Sequence, residues 1–232
     1  MDGTGNAGVE LVSNGRTEHS PDYMHGYPRD RMEALHAALV IGLRDYVNKS
    51  GFPGVLIGMS GGVDSALAAA LAVDALGADR VTLVRLPSRW TGDESMLQAE
   101  NAATLLGVKN LLTIPIQDTV NALTAALSQQ VSVLGTTAEN LQARTRGDIL
   151  MALSNATGGM VLSTGNKSEM TVGYATLYGD MCGGFNALKG LWKTTVYALC
   201  EWRNEHRWSG SLGPHGIVIP KQIISRPPSA EL

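Results

Sequence analysis

The stretch "VLIGMSGGVDSALAAALAVDALG", residues 55–77, decides the fold. An apolar run of strand length stops at Ser60, Gly61 and Gly62, and an alanine-rich run of helix length begins just after Asp64 and Ser65. The second run closes on a glycine, as helices often do. A strand that passes through one short turn into a helix is the opening half of a crossover unit, which joins parallel strands.

The same alternation extends outward. Apolar runs bounded by turn residues recur at 54–59, 80–86, 110–116 and 158–165, and each reads as a strand. Between and around them, helical periodicity falls at 30–50, 64–77, 94–107, 118–130, 137–157 and 195–206. This order predicts an α/β fold, a Rossmann-like doubly wound parallel sheet flanked by helices. Residues 1–29 are polar and rich in Gly, Asn and Ser, and they read as a flexible N-terminal arm. Residues 30–232 read as one domain. The end, "GIVIPKQIISRPPSAEL", predicts short apolar pieces without a closing helix.

Composition narrows the class. Of 232 residues, 44% are hydrophobic and 17% charged, enough to build a core. Eighteen basic against 21 acidic residues leave a net charge of −3, the opposite of a nucleic-acid footprint. No apolar run reaches the about 18 residues of a membrane span, and no apolar segment opens the chain as a secretory signal. Cys182 and Cys200 form no zinc-spaced or CxxC pair, which points to two reduced thiols in a cytoplasmic protein.

In an open parallel sheet, ligands sit beyond the carboxyl ends of the strands, where residues 60–65 fall. A helix start offers unpaired N–H groups and the positive end of the peptide dipoles, so a polyphosphate suits it. Gly61 and Gly62 let the backbone curl without a Cβ in the way, and Ser60 and Ser65 add hydroxyls. Hydrogen bonds to a charged group contribute about 1.5–3 kcal/mol each. A carboxylate would repel a bare anion, but Asp64 makes sense as a ligand of Mg²⁺ bridging phosphate oxygens. The rival reading is a plain strand–helix turn with Asp64 as a helix-start charge, and it leaves the glycines and serines unexplained. GK[ST] and GxGxxG are both absent from the joint.

A second block, "LSTGNKSEMTVGYATLYGDMCGGFNALKGLWKTTVYAL" (162–199), lies at the end of the fourth strand, facing that joint. Thr164 is placed for a nucleotide contact, Glu169 is a second carboxylate for the same metal, and Lys193 is a point charge for phosphate. The polar, glycine-containing loop at 88–96 reads as a mobile lid.

"SGGVDS" resembles the phosphate loop of the N-type ATP pyrophosphatases. The 162–199 block, "TAENLQARTRGDILMALSNATGG" and the terminal "RPPSAEL" resemble the NAD synthetase family, specifically the synthetase domain of its glutamine-dependent kind, over about residues 30–232. The resemblance implies an adenine nucleotide alpha hydrolase-like fold and a ligase reaction. ATP adenylates the carboxylate of deamido-NAD and releases pyrophosphate; ammonia then displaces AMP to give NAD. Carried over by position, Gly58, Ser60, Gly61, Gly62, Val63, Asp64 and Ser65 resemble the ATP-phosphate loop, with Thr164, Lys193 and Ser229 as further ATP contacts. Asp64 and Glu169 resemble the Mg²⁺ ligands, and Asp64, Glu169 and Lys193 the catalytic set. Asn140, Arg144, Glu169 and Tyr174 resemble deamido-NAD contacts.

Plainer readings stand beside some of these: a solvated or ion-paired helix residue for Arg144, with Arg146 the more structural of the two, and core packing for Tyr174. Family members are usually homodimers. Two departures carry expectations of their own. About 29 residues precede the synthetase region where the glutamine-dependent enzymes carry an amidase, so ammonia is expected free or from a separate glutaminase subunit. The chain also stops at "PPSAEL", where relatives continue. The alternative reading is a non-catalytic nucleotide-binding member acting as a regulatory or partner subunit; a weaker one changes the acceptor.

Overall fold

The computed structural model describes residues 30–227. Residues 1–29, read above as an arm, and Ser229 lie outside the described residues. Five parallel strands form one sheet: β1 (Val55–Gly58), β2 (Val81–Arg85), β3 (Asn110–Thr113), β4 (Met160–Ser163) and β5 (Phe185–Asn186), in the order β3-β2-β1-β4-β5. β1 is central, pairing through Val55 with both Val81 and Met160. The chain therefore runs outward from β1 to β3 and returns to the other side of β1 with β4. That reversal is a topological switch point, where the strand ends splay and leave a crevice.

Around the sheet lie α1 (Arg31–Lys49), α2 (Val63–Leu76), α3 (Asp93–Leu105), α4 (Gln117–Ser128), α5 (Thr136–Thr157), α6 (Lys167–Val172), α7 (Lys193–Glu205) and α8 (Lys221–Ser225). The central strands are continuous apolar runs because both faces are covered: Leu56, Ile57, Leu83, Val84, Val161 and Leu162 are all buried. At the edge, β3 keeps three of its four residues exposed. Every residue of α2 except Asp64 is buried. Its alanines at 66, 68, 69, 70, 72 and 75 let it approach the sheet and its neighbouring helices closely.

One polar cluster sits in this core. Asp74 on α2, His36 on α1 and Arg203 on α7 are all fully buried. Asp74 Oδ2 is 2.9 Å from His36 Nε2, and Arg203 donates to both Asp74 oxygens through Nε (2.6 Å) and Nη2 (2.9 Å). Burial alone pushes the Asp74 carboxyl up, but the His36 and Arg203 bonds outweigh it and hold it below the usual range. The cluster clamps three helices together.

The main alternation agrees with the sequence reading, and three short elements add to it. β5, α6 and α8 have two, six and five residues, too few for periodicity to register. α8 corrects the expectation of a helix-free end, and the segment read as a lid is in part the first turn of α3, with Ser95 buried. Among the described residues no helix is long and apolar enough to cross a membrane.

Candidate nucleotide site at the switch point

A cavity of about 680 Å³ opens over the carboxyl ends of β1 and β4, within the range of small-molecule sites. Gly58, Ser60, Gly61, Gly62, Val63, Asp64 and Ser65 line one wall, and Thr164, Glu169 and Tyr174 line another with Lys193. Residues from sequence positions more than a hundred apart thus meet in one crevice.

The glycine joint has the shape the sequence suggested. Gly61 has φ +80°, and a Cβ there would run into the carbonyl oxygen of Ser95, so only glycine lets the loop lie against α3. Gly62 is the N-cap of α2, and no side chain caps that helix. Its first-turn N–H groups therefore remain for an anion. The two serines brace the loop instead: Gly62 N donates to Ser60 Oγ (3.2 Å), Ser65 Oγ donates to the Gly62 carbonyl (3.0 Å), and the two hydroxyls lie 3.2 Å apart.

Opposite the loop, β4 delivers the chain into α6. Asn166 caps α6 by accepting from Glu169 N, and Glu169 Oε2 accepts from Asn166 N, a reciprocal capping box. The Lys193 ammonium is ion-paired to Asp64 Oδ2 and stands 4.0 Å from Glu169 Oε1. Ser168 Oγ accepts from Lys193 N (3.0 Å), which ties the start of α7 to α6. Burial pushes the Glu169 carboxyl up; the bond from Asn166 N opposes this, Asp64 adds to it and Lys193 draws it back.

This arrangement bears on Mg²⁺. A positive charge already rests between the two carboxylates, which shows that they converge on a spot suited to a cation. Among the described residues no group of three His, Cys, Asp or Glu side chains could hold a metal by itself. Two carboxylates fit Mg²⁺ that takes its remaining ligands from phosphate and water; they do not make an all-protein cage.

Asn140 and Arg144 do not line the cavity. Asn140 Oδ1 accepts from Thr176 Oγ1 (2.7 Å), and Arg144 Nε donates to the Leu177 carbonyl (3.2 Å). They hold the 174–180 loop, which packs so tightly on α5 that Gly147 and Gly179 have no room for a Cβ. Tyr174 is not packed in the core: it lines the cavity and is 59% exposed. Asn166 and Ser168 escaped the sequence reading as site residues, although Asn166 followed three residues on by Glu169 is a capping-box pattern visible in the chain. Arg146 lines the cavity and donates to the Leu86 carbonyl (3.1 Å). Cys182 lines it as well; burial pushes its thiol up, and both cysteines are unpaired to each other.

A family model described as NAD synthase matches residues 35–232. A glutamine-dependent NAD(+) synthetase from Xanthomonas campestris pv. campestris (strain 8004) is 54% identical over 206 residues, covering 88% of this chain and 36% of that protein. Among solved structures, a glutamine-dependent NAD+ synthetase from Acinetobacter baumannii in complex with adenosine diphosphate matches with TM-score 0.79 and 46% identity, over 85% of this chain and 36% of that one. An NMN synthetase from Francisella tularensis matches with TM-score 0.76 and 29% identity, over 87% of this chain and 77% of that one. The chain spans little more than a third of the length of the curated relatives it matches.

Proposed function

Since the chain belongs to the NAD synthase family, we propose that it carries out the ATP-dependent amidation of deamido-NAD to NAD, with ammonia as the nitrogen nucleophile. The observation that carries the reading is the meeting, in one crevice, of an uncapped helix start with Asp64, Glu169 and the Lys193 that faces both. That set suits the two steps. The carboxylate oxygen of deamido-NAD attacks the α-phosphorus of ATP, the bond to the β-phosphate oxygen breaks, and pyrophosphate leaves. Ammonia then attacks the acyl carbon, AMP leaves with the bonding pair, and the nitrogen sheds a proton to give the amide.

In this reading the amides of residues 63–65, the first turn of α2, receive the departing phosphates, where donors aimed at developing charge lower the barrier. Lys193 exchanges Asp64 for phosphate when nucleotide arrives. Asp64 and Glu169 would hold Mg²⁺, which would supply charge neutralisation on the phosphates. Thr164 meets the nucleotide, Tyr174 offers a ring at the rim for the nicotinate end, and Ser229 is a further ATP contact. The ammonia arrives free or from a separate glutaminase.

A homodimer belongs to the same proposal. Leu123 and Leu127 on α4 and Met151 on α5 are apolar and exposed, so α4 and α5 have a face for a second copy. Asn140 and Arg144 stand on α5, and they would reach deamido-NAD from there only as part of a pocket completed at that interface.

The testing assay follows AMP and pyrophosphate with ATP, Mg²⁺ and ammonia present, comparing deamido-NAD with nicotinate mononucleotide as acceptor. AMP formation dependent on deamido-NAD is expected; preference for the mononucleotide moves the protein to the chemistry of its more distant relative, and intact ATP with every acceptor removes the enzyme reading. The loop has its own test. Gly61→Ala places a Cβ against the Ser95 carbonyl and a non-glycine residue at positive φ, the latter alone costing about 1–2 kcal/mol. ATP affinity measured by calorimetry is expected to fall about tenfold or more, and an unchanged affinity counts against the phosphate cradle.

A further inference from the structure

Asn166 is fully buried, and its hydrogen bonds reach Asp64 and Glu169, two of the acidic residues that line the cavity. Its Nδ2 donates to Asp64 Oδ1 (2.8 Å), its Oδ1 accepts from Glu169 N (3.0 Å), and its backbone N donates to Glu169 Oε2 (3.0 Å). The choice of oxygens is informative. Asn166 engages Asp64 Oδ1 and Glu169 Oε2, while the opposite oxygens, Asp64 Oδ2 and Glu169 Oε1, are the two that face the Lys193 ammonium. One residue therefore turns the second oxygen of each carboxylate toward the spot where positive charge collects.

A carboxamide is the group for this task. It carries a donor and an acceptor on one planar head. An aspartate could cap α6 but could not donate to Asp64; a serine could cap α6 but is too short to reach across. The contact spans 102 positions of sequence, linking the start of α2 to the start of α6. The two carboxylates thus lie on separate elements, and Asn166 joins them at their side chains.

We propose that Asn166 is a positioning residue for the reaction: its carboxamide fixes Asp64 relative to Glu169 so that one oxygen of each faces the same divalent cation and the phosphates it accompanies. The inference rests on the function proposed above and assigns Asn166 no contact with substrate. Capping of α6 is the competing, merely structural role, and the two separate by choice of variant. Asn166→Ser keeps an N-cap of comparable strength and removes the donor to Asp64. Asn166→Asp keeps the cap in nearly the same shape and replaces the donor with an anionic oxygen.

The experiment measures binding of Mn²⁺ to the whole protein in the presence of α,β-methylene ATP, counting free Mn²⁺ by electron paramagnetic resonance. Affinity for Mn²⁺ is expected to fall about 10–100-fold in Asn166→Ser, the range seen when partners of metal-ligating side chains are removed, and at least as far in Asn166→Asp. Asn166→Ser is expected to unfold thermally close to the wild type and Asn166→Asp, which sets two carboxylates face to face, at a lower temperature; turnover of both is expected to lose kcat with KM for deamido-NAD little changed. Mn²⁺ binding equal to wild type in a folded Asn166→Ser overturns the proposal; should that variant fail to fold, Asn166→Asp decides by the same measurement. A wild type that binds Mn²⁺ with the analogue yet makes no AMP defeats the proposed activity and leaves the positioning role to be judged on metal binding. A wild type that turns over, with variants that match it, defeats the positioning role alone.

Discussion

Asp64→Ala is expected to lower turnover of ATP to AMP by about 10²–10³-fold, the loss typical when one preorganised charge-stabilising group is removed from a reacting site, while the protein stays folded. Asp64 is the one residue of α2 that is not buried, and its side chain meets the Lys193 ammonium on one oxygen and Asn166 Nδ2 on the other. As an acidic residue in a helix first turn it contributes about 0.3–1 kcal/mol, and its loss also leaves the buried Asn166 Nδ2 without its acceptor, at about 1–3 kcal/mol. In a domain of this size that lowers the thermal midpoint by several degrees, at about 2–4 °C per kcal/mol, so the thermal midpoint is measured beside turnover to separate chemistry from folding. Asp64→Asn sharpens the reading, because it keeps an acceptor for Asn166 and removes only the charge. If the isosteric variant loses nearly as much turnover as alanine, the charge is what matters. Substantial residual turnover in either one contradicts the role given to Asp64 in neutralising the phosphates, since a lone Glu169 would then suffice.

The second large effect lies in the core. Asp74→Ala is expected to destabilise the fold by about 3–5 kcal/mol, the cost of leaving a buried charge without its partner, out of a total that is only about 5–15 kcal/mol for native domains. Arg203 is fully buried and sends two of its hydrogen bonds to Asp74. Without that carboxylate it keeps only its bond to the Pro214 carbonyl among the described residues. Urea unfolding followed by circular dichroism is the measurement; a shift below about 1 kcal/mol, the scale of an exposed pair, would show that water reaches the cluster. The pH dependence has a definite sign. Because the folded state holds the Asp74 carboxyl below its ordinary value, its contribution is complete above the unfolded carboxylate pKa of 3.8 and is lost as pH falls through the depressed folded value. Glu169 works in the opposite sense. Its carboxyl is raised in the fold, so its ionisation disfavours the folded state as pH rises. Acid titration of urea stability in Asp74→Asn is expected to lack the strongly acidic part of the wild-type loss.

How much of this could be read in the chain differs from element to element. The β1 strand, its glycine turn and α2 were legible because each is local: an apolar run, a break, and a second run of another period. The second wall was legible as residues but not as geometry. Thr164, Glu169 and Lys193 could be assigned to one side of the crevice, whereas the contact of Asn166 with Asp64 spans 102 positions and leaves no trace in local pattern. Asn140 and Arg144, four residues apart on α5, both bind the same loop, but a helix face does not declare what it meets. Asp74 carried a signal that passed unread. A lone carboxylate inside "LAVDALG" announces a partner; that the partners are His36 and Arg203, 38 and 129 positions away, follows only from packing. β5 and α8 were missed because two and five residues are shorter than any period can reveal.

The near-total enclosure of α2 has a mechanical corollary. The proposed anion cradle is mounted on a pillar of methyl-sized side chains wedged between the sheet and the helices around it, which leaves it little room to tilt or slide. Whatever closing motion accompanies catalysis is left to the periphery, and the cradle is the fixed reference against which those outer parts move. The same tightness makes the pillar hard to retune: enlarging any of those alanines would pry the central layers apart, so changes of substrate preference have to be written in the rim.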